Sequence, residues 1–154
     1  AVQNLEQTAE RMDLAQLARI VELFRQSEQV YFVGDMRELE CFYSLQLDLM
    51  CKGQAVYHCN FDEVKKDELP AMNEKTVVCI FSVSERYYPE ERQLLLEEAR
   101  ACRAHTVWFT QEGDAGEAEE TCYYGTAQSK NMGYYSLLLL EQVISAMLYR
   151  SDDA

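Results

Sequence analysis

The sequence predicts an α/β protein, a three-layer sandwich in which helices cover both faces of a five-stranded parallel sheet. Short apolar segments rich in β-forming residues alternate with helical segments, and this alternation places parallel strands side by side with helices crossing over them. The chain has 154 residues, of which 48% are hydrophobic and 27% charged. These values are typical of one compact globular domain, so we expect residues 1–154 to form a single domain.

The predicted elements follow one another in a regular order. They are helices at 1–12 and from 14, a strand at 30–33, a helix at 35–52, a strand at 55–59, a short helix within 62–68, a strand at 76–82, a helix at 89–103, a strand at 106–110, a strand at 121–125 and a helix at 132–149. Residues 111–120, with two glycines and five acidic residues, are predicted to form a solvated loop.

Residues typical of helix ends justify these boundaries. Asp13 and Gln16 form a plausible capping box for the second helix. Asp35 is placed to cap one continuous helix, and Gly53 to stop it near residue 52. Pro89 is favourable at the first position of a helix, because its missing N–H would have no partner there.

The charge pattern limits the partners of the chain. There are 14 basic and 27 acidic residues, for a net charge of −13. A surface this acidic repels phosphate backbones, so the chain by itself should not bind nucleic acid. The longest aliphatic run, Leu137 to Leu140, is far too short to cross a membrane, and no signal peptide is visible.

The cysteines and histidines favour neither a disulfide framework nor a metal site. Six cysteines are scattered through apolar stretches without a CxxC pair, which indicates reduced thiols and a cytoplasmic location. His58 and Cys59 are neighbours on a strand and point to opposite faces, so they cannot readily share a metal. His105 is interpreted as a surface residue. We expect no metal and no cofactor.

Two strand-end turns are the candidate ligand site, because open parallel sheets bind ligands beyond the carboxyl ends of their strands. The first turn contains Gly34, Asp35, Met36, Arg37 and Glu38, and the second contains Ser82, Val83, Ser84, Glu85, Arg86 and Tyr87. Serine hydroxyls and backbone N–H groups together make a plausible anion cradle. The alternative is that the serines only satisfy backbone groups at a strand end.

The same residues carry a resemblance to a known family. The sequence begins with a pair of predicted helices. It then contains V-Y-F-V-G-D-M-R-E and V-V-C-I-F-S-V-S-E-R-Y, each of which opens a helix. This order resembles the SIS (sugar isomerase) domain. More narrowly, it is similar to the effector half of RpiR-type bacterial transcriptional regulators, in which a helix-turn-helix domain precedes this module. The opening N-L-E-Q-T-A-E-R-M-D is similar to the helix that joins the two halves, and the closing S-K-N-M-G-Y-Y-S-L-L-L-L-E-Q to the last helix of the family.

The motifs depart from the pattern of that family. The family's first turn runs G-x-G-x-S, and here Gly34 is kept while Met36 and Glu38 replace the second Gly and the Ser. Its phosphate loop runs S-x-S-G-x-T, and here the two serines are kept while Glu85 and Tyr87 replace the Gly and the Thr. A phosphate would therefore meet two carboxylates. Like charges at ~4 Å cost on the order of 1 to 4 kcal/mol, enough to weaken binding about tenfold or more.

Two arginines in the same turns leave two readings open. Arg37 and Arg86 could form a side-chain clamp for a different anionic ligand, since guanidinium groups bind phosphate and carboxylate. Alternatively each pairs with a nearby Glu in a closed or vestigial pocket.

Six tyrosines lie near predicted loops and helix starts: Tyr87, Tyr88, Tyr123, Tyr124, Tyr134 and Tyr135. They could line a crevice or an interface, although core packing is expected for at least half of them.

The resemblance implies a flavodoxin-like strand order and a function without catalysis. It implies an effector-sensing and dimerisation domain of an RpiR-like regulator, which binds a phosphosugar-like or other small anionic carbohydrate derivative. Residues 1–12 would link it to a DNA-binding domain that this sequence does not contain, and the absence of an initiator Met fits a piece of a longer protein. The alternatives are a stand-alone phosphosugar isomerase and a dimerisation module with a decayed ligand site.

Overall fold

The sheet has the predicted number of strands and the predicted direction. The computed structural model describes residues 2–66, 68–82, 88–112, 116–125 and 133–152. Its strands are β1 (Gln29–Val33), β2 (Ala55–Cys59), β3 (Thr76–Phe81), β4 (His105–Thr110) and β5 (Glu120–Tyr123). All pair in parallel, in the order β2-β1-β3-β4-β5. This flavodoxin-like order reverses direction at β1 and β3, which confirms the predicted fold class.

Helices cover both faces of this sheet. They are α1 (Val2–Arg11), α2 (Leu14–Gln26), α3 (Met36–Cys41), α4 (Tyr43–Cys51), α5 (Phe61–Lys65), α6 (Pro89–Ala101) and α7 (Tyr134–Asp152). Buried side chains of α2, α4 and α7 form one core cluster with one face of the sheet. Those of α5 and α6 form a second cluster on the other face. Every residue of β3 is buried, as expected for a central strand covered on both sides.

The single helix predicted for residues 35–52 is wrong, because the chain breaks it into α3 and α4 at Phe42. Phe42 has φ −104° and ψ 14°, and its fully buried ring lies 4.8 Å from the ring of Phe81 and 4.9 Å from that of Phe109. Glu141 of α7 accepts a hydrogen bond of 3.1 Å from the N–H of Leu45, in the first turn of α4. Burial of the Phe42 ring and the hydrogen bond from Leu45 to Glu141 therefore stabilise the break more than a continuous helix would be stabilised by its own hydrogen bonds.

Half of the predicted capping box forms. The side chain of Asp13 accepts hydrogen bonds from the N–H groups of Ala15 and Gln16. The side chain of Gln16, however, donates to the carbonyl of Thr121 at 2.8 Å instead of reaching back to the helix start. The capping glutamine therefore serves as a link between α2 and the edge strand β5.

The segment predicted as a solvated loop, 111–120, is partly buried where the structure describes it. Gln111 and Ala118 are both buried, the latter in the core cluster that contains Trp108. The loop follows β4 closely, since the Thr106 hydroxyl accepts a hydrogen bond from the N–H of Glu119. Local polarity predicted exposure, and packing against the sheet edge overrides it.

The first helix is fastened to the end of β5. The hydroxyl of Thr8, which is fully buried, accepts a hydrogen bond of 2.6 Å from the N–H of Gly125. Arg11 donates to the carbonyl of the same glycine at 3.3 Å, and its guanidinium lies 4.9 Å from the centre of the Tyr123 ring.

No helix within the described parts of the chain has the length and apolar character that crossing a membrane requires.

Candidate functional site

The turn after β1 lies directly against the end of β3. A methyl group at Gly34 would lie 2.9 Å from the Cβ of Phe81 and 3.2 Å from its carbonyl oxygen, so only glycine allows this approach. The N–H of Gly34 donates to the carbonyl of Cys59, and that of Ser82 to the carbonyl of Phe109. Gly34 and Ser82 therefore continue neighbouring strands at the point where the strand order reverses.

Glu38 turns inward below this glycine. Its side chain is buried, its Oε2 lies 3.1 Å from the position that a Cβ of Gly34 would occupy, and its carboxyl accepts a hydrogen bond from the N–H of Asp35. Burial raises the pKa of Glu38 to about 8, with a smaller contribution from the negative charge of Asp35. The group is therefore predominantly neutral at pH 7.

This protonation state changes the electrostatics expected from the sequence. The predicted repulsion of a phosphate presupposed an ionised Glu38. A neutral carboxyl group carries an O–H donor and a carbonyl acceptor, so it can hydrogen-bond to an anionic or hydroxyl oxygen. The position occupied by a serine in the family thus still offers a hydroxyl group.

Arg37 is exposed and connects this turn to the start of α7. Its guanidinium lies 5.0 Å from the centre of the Tyr134 ring and hydrogen-bonds to the Tyr134 side chain. Among the described residues Arg37 forms no ion pair with a carboxylate. The described part of the chain therefore does not contain the predicted pairing of Arg37 with a nearby Glu. Burial raises the pKa of Tyr134 and the charge of Glu38 adds to the effect, which places Glu38 near this ring as well.

Three buried polar atoms beyond β4 and β5 were not singled out from the sequence as ligand contacts. They are Nε2 of Gln111, the hydroxyl of Tyr124 and Oγ of Ser136, each without a hydrogen-bond partner in the described part of the chain. A methyl group at Gly133, just before α7, would nearly coincide with the Gln111 amide and would touch the Tyr124 ring. Burial raises the pKa of Tyr124 well above its usual range, with the charge of Glu38 as the next cause.

The signal for these residues was present but weak. Gln111 directly follows β4, and Tyr124 directly follows β5. Ligand-binding residues in parallel sheets lie at such positions. Buried polar atoms without partners are rare in folded proteins and are typical of sites that hold a ligand or ordered water. Of the six tyrosines, Tyr124 is buried and Tyr134 half-buried at this edge, whereas Tyr135 is exposed.

The other residues expected at this site are Asp35 and four residues of the second turn. Ser84, Glu85, Arg86 and Tyr87 lie outside the described residues. Asp35 is exposed and makes no side-chain hydrogen bond to the start of α3.

The structure also describes His105 and the six cysteines. Nδ1 of His105 lies 2.8 Å from Oε2 of Glu119, at the amino end of β4 and away from the candidate site. The six cysteines are free thiols. Burial raises the pKa of Cys59 and Cys122 to about 12, so neither is a ready nucleophile near neutral pH. Across the described ranges no group of three potential metal ligands comes together.

Solved structures of known proteins share this fold. No protein-family model matches the sequence, and no curated protein matches it. The Vibrio vulnificus NanR protein complexed with ManNAc-6P is 21% identical, with a TM-score of 0.75 over 98% of this chain and 60% of that chain. The sugar isomerase domain of an RpiR transcription factor from Sphaerobacter thermophilus is 17% identical, with a TM-score of 0.65 over 99% of this chain and 94% of that one.

A third solved structure is a Methanococcus jannaschii protein for which the function of a 3-hexulose-6-phosphate isomerase is inferred. It is 13% identical, with a TM-score of 0.68 over 90% of this chain and 79% of that chain. At these identities the likeness establishes the fold. The chain has the fold of the sugar isomerase domain, which confirms the resemblance seen in its sequence at that level. It spans about 60% of the length of the Vibrio protein.

Proposed function

We propose that this chain, a domain with the sugar isomerase fold, is the effector-sensing and dimerisation domain of an RpiR-like transcriptional regulator. Its ligand is a phosphosugar-like or other small anionic carbohydrate derivative. The observation that carries this proposal is the contact between the Gly34 turn and the end of β3, with an exposed arginine and a neutral carboxyl group beside it. The solved Vibrio protein of the same fold holds ManNAc-6P, which supports this ligand class.

The described residues offer complementary groups to such a ligand. The guanidinium of Arg37 supplies a positive charge and several donors for an anionic group. Glu38 offers an O–H donor, and the Tyr124 hydroxyl and Gln111 amide are buried polar groups that lack partners among the described residues. Burying such groups without a partner costs about 1–3 kcal/mol each, so sugar hydroxyls that reach them would gain affinity.

The contacts of the first helix suggest how binding is transmitted. Arg37 joins the ligand turn to α7 through Tyr134, and α7 packs against α1. Thr8 of α1 is in turn hydrogen-bonded to Gly125 at the end of β5. A ligand with different affinities for two arrangements of these elements would shift the position of α1, and with it a DNA-binding domain attached before it.

A panel of sugar phosphates and amino-sugar acids tests the ligand proposal by thermal shift. We expect at least one member, at ~100 times its dissociation constant, to stabilise the protein by about 2.7 kcal/mol. Arg37→Ala should weaken that ligand about tenfold or more, because the anion loses its cation. Arg25→Ala, which removes an exposed arginine paired with Glu22 on α2, is the matched control and should bind as the native chain does.

Two results would contradict the ligand proposal. Absence of any shift across the panel would favour a dimerisation module with a decayed site. Interconversion of ketose and aldose phosphates by the purified protein would favour a phosphosugar isomerase.

An exposed apolar surface on α4 and α7 supports dimerisation. Tyr43, Leu47 and Met50 are spaced along one side of α4 and are 55%, 41% and 44% exposed, while Leu45 and Leu49 fill the core on the other side. Tyr135 and Leu138 of the adjacent α7 are also exposed. A helix that is apolar on both faces is typical of one covered on both sides, and we propose that a second copy of this chain covers it.

Sedimentation or light scattering tests this dimer. We expect the native chain to be a dimer and Leu47→Glu to be a monomer, because a two-fold interface would bury the new carboxylate of each copy without a partner. Leu94→Glu places the same charge on an exposed leucine of α6, on the opposite side of the sheet, and should remain a dimer. A monomeric native chain, or a dimer unaffected by Leu47→Glu, would exclude this surface.

A further inference from the structure

A second cavity lies on the far side of β1 from β3. It has a volume of about 430 Å³ and opens beyond the carboxyl ends of β1 and β2, between the turn after β1, the helix α4 and the start of α5. It shares Gly34 and Asp35 with the site already described, but Ser82 does not line it.

The charged groups of this cavity are acidic. The carboxylates of Asp35, Glu40 and Glu63 line it, with His58 as the one basic side chain, and no lysine or arginine among the described residues does so. Glu63 is fixed in place, since the Asn60 side chain accepts its backbone N–H at 2.9 Å and the Cys59 thiol donates to its carboxylate. Such a lining repels an anion and attracts a cation.

One buried acceptor in the cavity has no donor. Gln46 of α4 is fully buried and lines the cavity from its inner side. Its Nε2 donates to the carbonyl of Leu39 at 3.0 Å, whereas its Oε1 has no hydrogen-bond partner among the described residues. A buried carbonyl oxygen of this kind is satisfied by an N–H or O–H donor that enters the cavity.

We propose that this cavity binds a small primary amine in its ammonium form. The ammonium group carries three donors and a positive charge, so it can donate to Oε1 of Gln46 while Glu40 and Glu63 balance its charge. The Asp35 carboxylate adds to the attraction at the border with the anion site.

The histidines provide a direct test by NMR, because the chain has only two of them. Butylammonium and 1-butanol are the probes, a pair that differs in the charged group. We expect butylammonium to shift the ring signals of His58 in a saturable manner and to leave those of His105 unchanged, since His105 lies at the opposite end of the sheet. Equal shifts with 1-butanol, or equal shifts of both histidines, would overturn the proposal.

Matched variants separate a site from general attraction to an acidic protein. Glu40→Gln with Glu63→Gln should weaken butylammonium binding at least tenfold, and both residues lie at the surface or partly so. Glu90→Gln with Glu97→Gln removes the same charge from exposed positions of α6 and should bind as the native chain does. The same weakening in both pairs would overturn the proposal. Butylammonium binding is measured without any sugar phosphate, so failure here and failure of the anion site are distinguishable.

Discussion

At pH 9 the Glu38→Gln protein is expected to be more stable than the native chain by on the order of 4 kcal/mol, and the difference should disappear near pH 4. Burial raises the pKa of Glu38 from its ordinary 4.5 to about 8. A carboxyl group with a raised folded-state pKa favours folding in its protonated form. Its contribution is complete below pH 4.5 and is lost as the pH rises through 8. Glutamine keeps the acceptor for the Asp35 N–H and cannot ionise, so it does not lose this contribution.

Urea unfolding at pH 4, 6.5 and 9 measures this difference. Glu40→Gln is the control, because Glu40 lies two residues further along the same helix and is exposed. Its stability should follow that of the native chain at every pH. Parallel stability curves for Glu38→Gln and the native chain would show that the Glu38 carboxyl is solvated. The carboxyl would then be ionised at neutral pH and could not act as a hydrogen-bond donor in the ligand site.

Phe42→Ala should reduce the free energy of unfolding by about 3–5 kcal/mol. The ring is fully buried against Phe81 and Phe109, and its removal leaves a cavity at the junction of α3 and α4. Because the surrounding side chains come from two strands of a continuous sheet, they cannot collapse fully into the space.

Equilibrium urea unfolding at one pH checks this value. Tyr149→Ala, which truncates an aromatic residue that is 68% exposed on α7, should cost less than about 1 kcal/mol. A loss of similar size in the two variants would mean that Phe42 does not anchor the core.

The sheet was predictable because its signal is local. Each strand is a short run of β-branched and aromatic residues, and the turn residues between the runs mark their ends. Gly34 ended the first strand as expected. The bounds differed by one or two residues, as for the fifth strand, which ends at Tyr123 and not at Gly125.

The break at Phe42 was not predictable in the same way. Asp35 and Gly53 suit the two ends of one helix, and the groups that interrupt it come from elsewhere in the chain. Phe81 and Phe109 receive the ring, and Glu141 receives the N–H of Leu45. Tertiary contacts between distant segments decided the local structure.

The closeness of the Gly34 turn to the end of β3 follows from the strand order, whereas the electrostatics at this turn do not. Gly34 and Ser82 were expected at strand ends, and they follow β1 and β3, which are neighbours in the sheet. The protonation state of Glu38 depends on the burial of its carboxyl below the Gly34 turn, near Tyr124 and Tyr134. The spacing of residues in the sequence does not reveal this burial. The acidic cavity depends equally on α4 and β2 meeting at one edge.

The position of β1 has a consequence for how the protein folds. It is the first strand in the sequence, yet it lies inside the sheet, and Gln29 finds its partner Thr76 47 residues later. Closing that loop costs entropy before any hydrogen bond between the strands repays it. A chain still emerging from the ribosome can pair β1 with β2, but the other edge of β1 stays unpaired until residue 81 is available. During this interval it is open to aggregation, and chaperones would act on it then.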